Sequence, residues 1–186
     1  MFSPDQQRFM LQLARRAVTA AVTEGKIITL AEVEEAFNRL AGAFVTLSKF
    51  GQLRGCIGYP EPTLPLHETL IHSAASAALQ DPRFPPVAPA ELDDLHIEIS
   101  VLSPLQSAQP DEVVVGTHGL VVELGRARGL LLPQVPVELG WERDEFIAHT
   151  CRKAGLHPEA WRRGASLFTF TAEIFSEELL RESAET

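Results

Sequence analysis

Apolar residues recur along this chain with two periods, one helical and one alternating, and the switches between them mark out the elements. From Phe9 to Ala21 the period is helical: Phe9, Leu13, Ala17 and Ala21 form one stripe, and Met10, Ala14 and Val18 an adjoining one. Ser3-Pro4-Asp5 supplies a capping hydroxyl, a proline for the first helical position and an acid for the first turn, and Gly25 supplies a stop. A shorter helical pattern from Ala31 to Leu40 puts Val33, Ala36, Phe37 and Leu40 on one side. The apolar runs Ala43 to Ser48 and Leu53 to Gly58 flank Lys49-Phe50-Gly51-Gln52, which predicts a hairpin with the glycine in its turn. Pro60, Pro62 and Pro65 keep the next stretch extended, and Pro65 opens a helix through Leu66, Leu70, Ala74 and Leu79. That helix ends at Asp81-Pro82. Three prolines between Asp81 and Pro86 then predict a loop of restricted backbone.

His96 to Leu102 alternates, with Ile97, Ile99 and Val101 on one face and His96, Glu98 and Ser100 on the other. Further strands are predicted at Glu112 to Val115, Leu120 to Leu124 and Arg128 to Leu132, a helix at Asp144 to Gly155 with Phe146, Ile147, Thr150, Cys151 and Ala154 toward the core, and a last strand from Leu167 to Phe175. Helices and strands do not alternate as a doubly wound parallel sheet requires, so the fold class is mixed α+β. The two halves share the order hairpin, helix, strand, but no sequence repeat accompanies it.

A length of 186 residues fits one domain, 1–186, large enough to fold without a metal or disulfide, with the tail 176–186 expected to fray. The formal charge of −9 would repel phosphate backbones, which argues against nucleic acid as a partner. No apolar run reaches the ~18 residues of a membrane span, and no secretory leader pattern opens the chain. A cytoplasmic protein that does not act on membranes is the expectation. Cys56 and Cys151 cannot form a disulfide framework, and neither has zinc-ligand spacing, so both are read as reduced and no metal is assigned. No glycine loop has the spacing of a nucleotide site, and no cofactor is assigned.

The densest chemistry lies in Leu53-Arg54-Gly55-Cys56-Ile57-Gly58. Gly55 and Gly58 remove bulk beside the sulfur, which would let a ligand or a second backbone come close. If the run is extended, Arg54 and Cys56 share a face, and a neighbouring guanidinium favours thiolate over thiol, against a pKa of about 8.5 for free cysteine. The competing reading is a small apolar side chain packed in a core. A cysteine nucleophile needs a base; among six histidines, His118 in the turn Gly116-Thr117-His118-Gly119 is the candidate, the alternative being an imidazole that caps local backbone. Glu98, between Ile97 and Ile99, needs a partner if covered, and Arg54 is the natural one, a pair that could equally be structural. Arg83 in the proline loop and Arg128 at the head of a strand could hold a carboxylate or phosphate in a bidentate fork.

Phe44-Val45-Thr46-Leu47, Leu53 to Gly58, Asp81-Pro82-Arg83-Phe84, Ile97 to Leu102, His118-Gly119-Leu120, Leu132-Pro133-Gln134-Val135 and Cys151 to Leu156 together resemble the AMMECR family, from about Asp5 to Phe175. Its prokaryotic members are called AmmeMemoRadiSam system protein A. The resemblance implies a barrel-like, mostly antiparallel sheet with flanking helices and a duplicated β/α unit. It implies as partners a Memo-like protein and a radical S-adenosylmethionine protein, and it matches the family's cysteine to Cys56 and its turn histidine to His118. The family has no settled activity. Two readings follow: an enzyme or enzyme subunit using Cys56 with Arg54, Glu98 and His118 on a small molecule or protein, or a binding protein in which the same segment shapes a docking surface.

Overall fold

The structure, a computed structural model, describes residues 1–178. In chain order its elements are α1 (Pro4–Glu24), α2 (Glu35–Asn38), β1 (Ala43–Lys49), β2 (Gln52–Tyr59), α3 (Leu66–Leu79), β3 (Leu95–Leu102), β4 (Gln106–Ala108), β5 (Gly119–Leu124), β6 (Ala127–Leu131), α4 (Gln134–Glu138), α5 (Arg143–Lys153), β7 (Ser166–Phe170) and β8 (Ala172–Ser176). They fall into two compact units, Met1–Leu102 with the chain from Glu173 onward, and Ser103–Ala172. The fold is mixed, as the pattern predicts, but the strands form two separate four-stranded sheets in place of the single barrel-like sheet expected.

In the first unit the strand order is β2-β1-β3-β8. α1 begins as its sequence dictates: the Ser3 hydroxyl accepts from the Gln6 amide while Gln6 reaches back to the Ser3 amide, and Gly25 closes the helix in the left-handed region at φ 64°. Its buried stripe, Met10, Leu13, Ala14, Ala17 and Val18, shares one core with Val45, Leu47, Ile97 and Ile99 of the sheet and Leu66, Leu70 and Ala74 of α3. The hairpin turns through Phe50 and Gly51, both at positive φ, the backbone twist that matches twisted strands. Thr46 stands opposite Cys56 and Leu47 opposite Gly55, but Ser48 is opposite Leu53, so Arg54 is the extra residue of a bulge. The helix expected from Ala31 to Leu40 shrinks to the four residues of α2, whose start has no side-chain cap. So short a helix cannot repay its own nucleation, and buried Phe37 pins it to the core.

The second unit has strand order β4-β7-β5-β6, with α5 packing on β5 and β6 around Leu120, Val122, Phe146, Ile147 and Cys151. The strand expected at Glu112 to Val115 is instead a 3-10 turn at Pro110–Glu112 followed by a tight turn in which the His118 amide donates to the Val114 carbonyl at 2.9 Å. Pro110 starts the 3-10 turn that takes up Glu112, and Gly116 at φ 82° bends the chain just beyond Val115. The last strand breaks at Thr171 into β7 and β8, because Thr171 bonds Ser103 through both its amide and its carbonyl. Ser176 belongs to β8 and Glu177 is held by the Arg15 guanidinium, so the tail is anchored at least that far; residues 179–186 of the expected frayed tail lie outside the described ones.

Candidate functional site

Cys56 lies at the middle of β2, an edge strand, so its main-chain amide and carbonyl face away from β1. They are met by side chains from the loop after α3. The Cys56 N–H donates to Asp81 Oδ2 at 2.9 Å, and Arg83 Nη2 donates to the Cys56 carbonyl at 3.3 Å. Asp81 and Arg83 are themselves joined by a two-bond fork, Nε to Oδ1 at 2.9 Å and Nη2 to Oδ2 at 2.7 Å, and the Arg83 amide also donates to Oδ1. An aspartate and an arginine thus stand where the next strand's carbonyl and amide would stand, and close the edge at this residue.

The electrostatics follow from this geometry. Asp81 is 2% exposed at its side chain, yet its carboxyl is held well below the usual carboxylate range, first by the Arg83 hydrogen bonds, then by the Cys56 and Arg83 amides, with burial opposing them. Arg83 is raised, chiefly by Asp81, with desolvation opposing and a smaller contribution from Cys56. Its side chain remains 53% exposed, so it presents positive charge to solvent beside the thiol. Cys56 itself is half-buried, and the Thr46 hydroxyl, directly across the hairpin, donates to its sulfur at 3.2 Å. Glu98 continues the same row: Thr46 pairs with Cys56 on one side and with Glu98 on the other. Cys56, Thr46 and Glu98 therefore share one sheet face, three strands across.

Arg54 does something different from what its spacing suggests. The bulge takes it out of the alternation, and its guanidinium bonds Glu91 twice, Nε to Oε1 at 3.1 Å and Nη2 to Oε2 at 2.9 Å, and the carbonyls of Pro85 and Pro86. This corrects the expected pairing with Glu98. Arg54 anchors the proline loop that carries Asp81 and Arg83, and Lys49 adds a second cation to Glu91 at 3.4 Å. Glu91 is lowered to about 2, first by the Arg54 hydrogen bonds and then by the Ala88 amide, with burial opposing.

The two glycines are explained from within the fold. A Cβ on Gly55 would lie 2.1 Å from the Ala77 carbonyl oxygen of α3, and one on Gly58 would lie 2.3 Å from the Phe44 ring. At Gly55 the second backbone expected to come close is that of α3, and at Gly58 the close neighbour is an aromatic ring. His118 and Arg128 belong to the second unit. There His118 Nδ1 accepts from the Val114 amide at 3.2 Å, and Arg128 pairs with Glu123 at 3.0 Å. Cys151, also of the second unit, is fully buried, and burial pushes its thiol up. The residue that sequence reasoning passed over is Asp81. Its signal was present in Asp81-Pro82-Arg83, an acid and a fork-forming base two apart in a loop stiffened by proline.

Among the described residues no three His, Cys, Asp or Glu side chains are placed to hold a metal ion, and no helix is long and apolar enough to cross a membrane. The AMMECR1 family model matches residues 11–175, and the chain belongs to that family. It is 46% identical over 185 residues to a protein of Methanothermobacter thermautotrophicus, covering 95% of this chain and 96% of that one. Protein TK0174 of Thermococcus kodakarensis is 46% identical over 187 residues, with 93% and 91% covered. The crystal structure of uncharacterized protein PH0010 from Pyrococcus horikoshii is similar with a TM-score of 0.84 at 45% identity, covering 91% of this chain and 90% of that one.

Proposed function

We propose that this AMMECR1 protein works through the Cys56 thiol, as an enzyme or enzyme subunit of the AmmeMemoRadiSam system acting on a small molecule or protein. The observation that carries the reading is the Asp81–Arg83 clamp, which immobilises the Cys56 backbone and sets a half-exposed guanidinium beside a half-buried sulfur. Packing alone does not call for a charged pair at that position. Arg83 would stabilise negative charge on the sulfur or on a bound anion, the Thr46 hydroxyl would hold the sulfur's lone pair in a fixed direction, and Glu98 in the same row would supply a carboxylate for proton transfer. Arg54 acts at one remove, by holding the loop through Glu91. The family resemblance supports a Memo-like protein and a radical S-adenosylmethionine protein as partners, and the site as drawn uses residues of the first unit.

The second reading, a binding protein for those partners, draws on the same clamp, because a closed strand edge also makes a rigid surface. Intact-mass analysis separates the two. Folded protein is incubated with the small-molecule fraction of a cell extract and then denatured. A covalent adduct on Cys56, absent from Cys56→Ser and diminished in Arg83→Ala, is the result expected of the thiol reading. No adduct, with partner capture equal in wild type and Cys56→Ser, would replace it with the binding reading.

A further inference from the structure

We infer that the β2 edge beside Cys56 docks the C-terminal end of a polypeptide, which pairs with Gly58 as a short antiparallel strand and sets its carboxylate against Arg83. The inference rests on the reading of the Cys56 site above and names the class of substrate that site takes. β2 has β1 on one side and no strand on the other. The Cys56 amide and carbonyl point to the open side, where Asp81 and Arg83 take them. The register with β1 is regular from Cys56 to Gly58, so the Gly58 amide and carbonyl point the same way, and among the described residues nothing bonds them. They are the donor and acceptor pair that an added strand uses.

The surroundings select the occupant. Two residues on, Pro60 has no amide to offer; two residues back, the Asp81–Arg83 fork already fills the edge at Cys56. An added strand therefore has one pairing position, at Gly58, and must end before Cys56. Its polarity follows from charge. An antiparallel strand brings its C-terminus toward Cys56, a parallel one its N-terminus. The group met there is the Arg83 guanidinium, 53% exposed, whose Nε and Nη2 are held by Asp81 and Cys56 while Nη1 bonds no described residue. The Asp81 carboxylate is buried and turned to Arg83 and two amides. A terminal carboxylate can accept from Nη1, whereas a terminal ammonium meets a like charge. The Phe44 ring fills the space a Cβ on Gly58 would take, 2.3 Å away, so the ligand residue opposite Gly58 meets a half-buried aromatic ring, and an apolar side chain fits it. The Cys56 sulfur projects from the same sheet face, beside the last residue of the ligand.

The test is a titration of the ¹⁵N-labelled full chain with acetyl-Ala-Ala-Leu-Ala bearing a free carboxylate, read at the Gly58 amide and the Arg83 side-chain N–H groups. Expected are a saturable shift at both, slowed exchange of the Gly58 amide, and an affinity about tenfold lower for the C-terminal amide of the same peptide, the size of one charge-assisted contact. Methylating the leucine nitrogen removes the donor to the Gly58 carbonyl and should lower affinity by about tenfold. Methylating the alanine nitrogen before it, which points away from β2, should not. Every change is in the peptide, so the fold of the protein is untouched. Equal affinity for acid and amide, equal affinity for the two methylated peptides, or equal binding of acetyl-Ala-Ala-Leu-Glu-amide, whose carboxylate is on a side chain, would overturn the proposal. No shift, together with a Cys56 adduct from the extract, would overturn it and leave the thiol reading standing. Peptide binding without any adduct would keep it and replace the thiol reading with the binding one.

Discussion

The two units are built to one plan and put it to different uses. Each runs hairpin, helix, returning strand, and the strand orders correspond, β2-β1-β3-β8 in one and β6-β5-β7-β4 in the other. In each, the second hairpin strand carries Arg-Gly where the following helix crosses it. A Cβ on Gly55 would meet the Ala77 carbonyl of α3 at 2.1 Å, and one on Gly129 would meet the Ala154 amide at the end of α5 at 2.4 Å. The difference is one residue. Arg128 sits in register opposite Glu123 and pairs with it, whereas Arg54 is bulged out of register and reaches Glu91 and two prolyl carbonyls. The next position is Leu130 in the second unit and Cys56 in the first, and the loop with Asp81 and Arg83 closes on the thiol alone. A shared skeleton thus becomes a candidate site by a bulge, a cysteine and a clamping loop.

The largest expected effect tests the shared skeleton. Gly55→Ala and Gly129→Ala should each destabilise by about 3 kcal/mol or more, because the clash is with backbone that cannot turn aside. Urea unfolding checks it, and a tolerated alanine at either position would break the correspondence. Next comes the clamp. Asp81→Ala leaves the Cys56 amide without its acceptor and should cost about 2 kcal/mol, with Asp81→Asn milder because its amide oxygen can still accept. Smaller is the Arg54 anchor: Arg54→Ala should lose roughly 1–2 kcal/mol by freeing Glu91 and the proline loop. Smallest at neutral pH is Glu91→Gln, which retains acceptor capacity, but it should change the acid response. Glu91 is lowered from 4.5 to about 2, so its contribution is complete above pH 4.5 and is lost as pH falls toward 2. Urea midpoints at pH 7 and pH 3 should differ less in Glu91→Gln than in wild type.

How much of this was legible in the chain depends on the range of the interactions. The ends of α1, the Phe50-Gly51 turn and the alternation of β3 are set by neighbours in sequence, and the residues there dictate the outcome. What escaped depends on partners far along the chain. The bulge that displaces Arg54 arises in pairing with β1, and it also hid the correspondence of Arg54-Gly55 with Arg128-Gly129, since the one-residue offset defeats a direct match of the two hairpins. Asp81 read as the end of a helix, because nothing near it in sequence announces the Cys56 amide 25 residues earlier. The break at Thr171 was invisible for a similar reason: its bonds go to Ser103.

The central claim is that Cys56 is a presented thiol and not a packed one, and the chain supplies its own control in Cys151, one cysteine in each unit. The direct measurement is the rate of iodoacetamide labelling of each cysteine in the folded protein at neutral pH, resolved by peptide mass. The account expects Cys56 to label without unfolding, more slowly in Arg83→Ala, while Cys151 stays protected. Labelling of Cys56 only at the rate of unfolding, in step with Cys151, would contradict it.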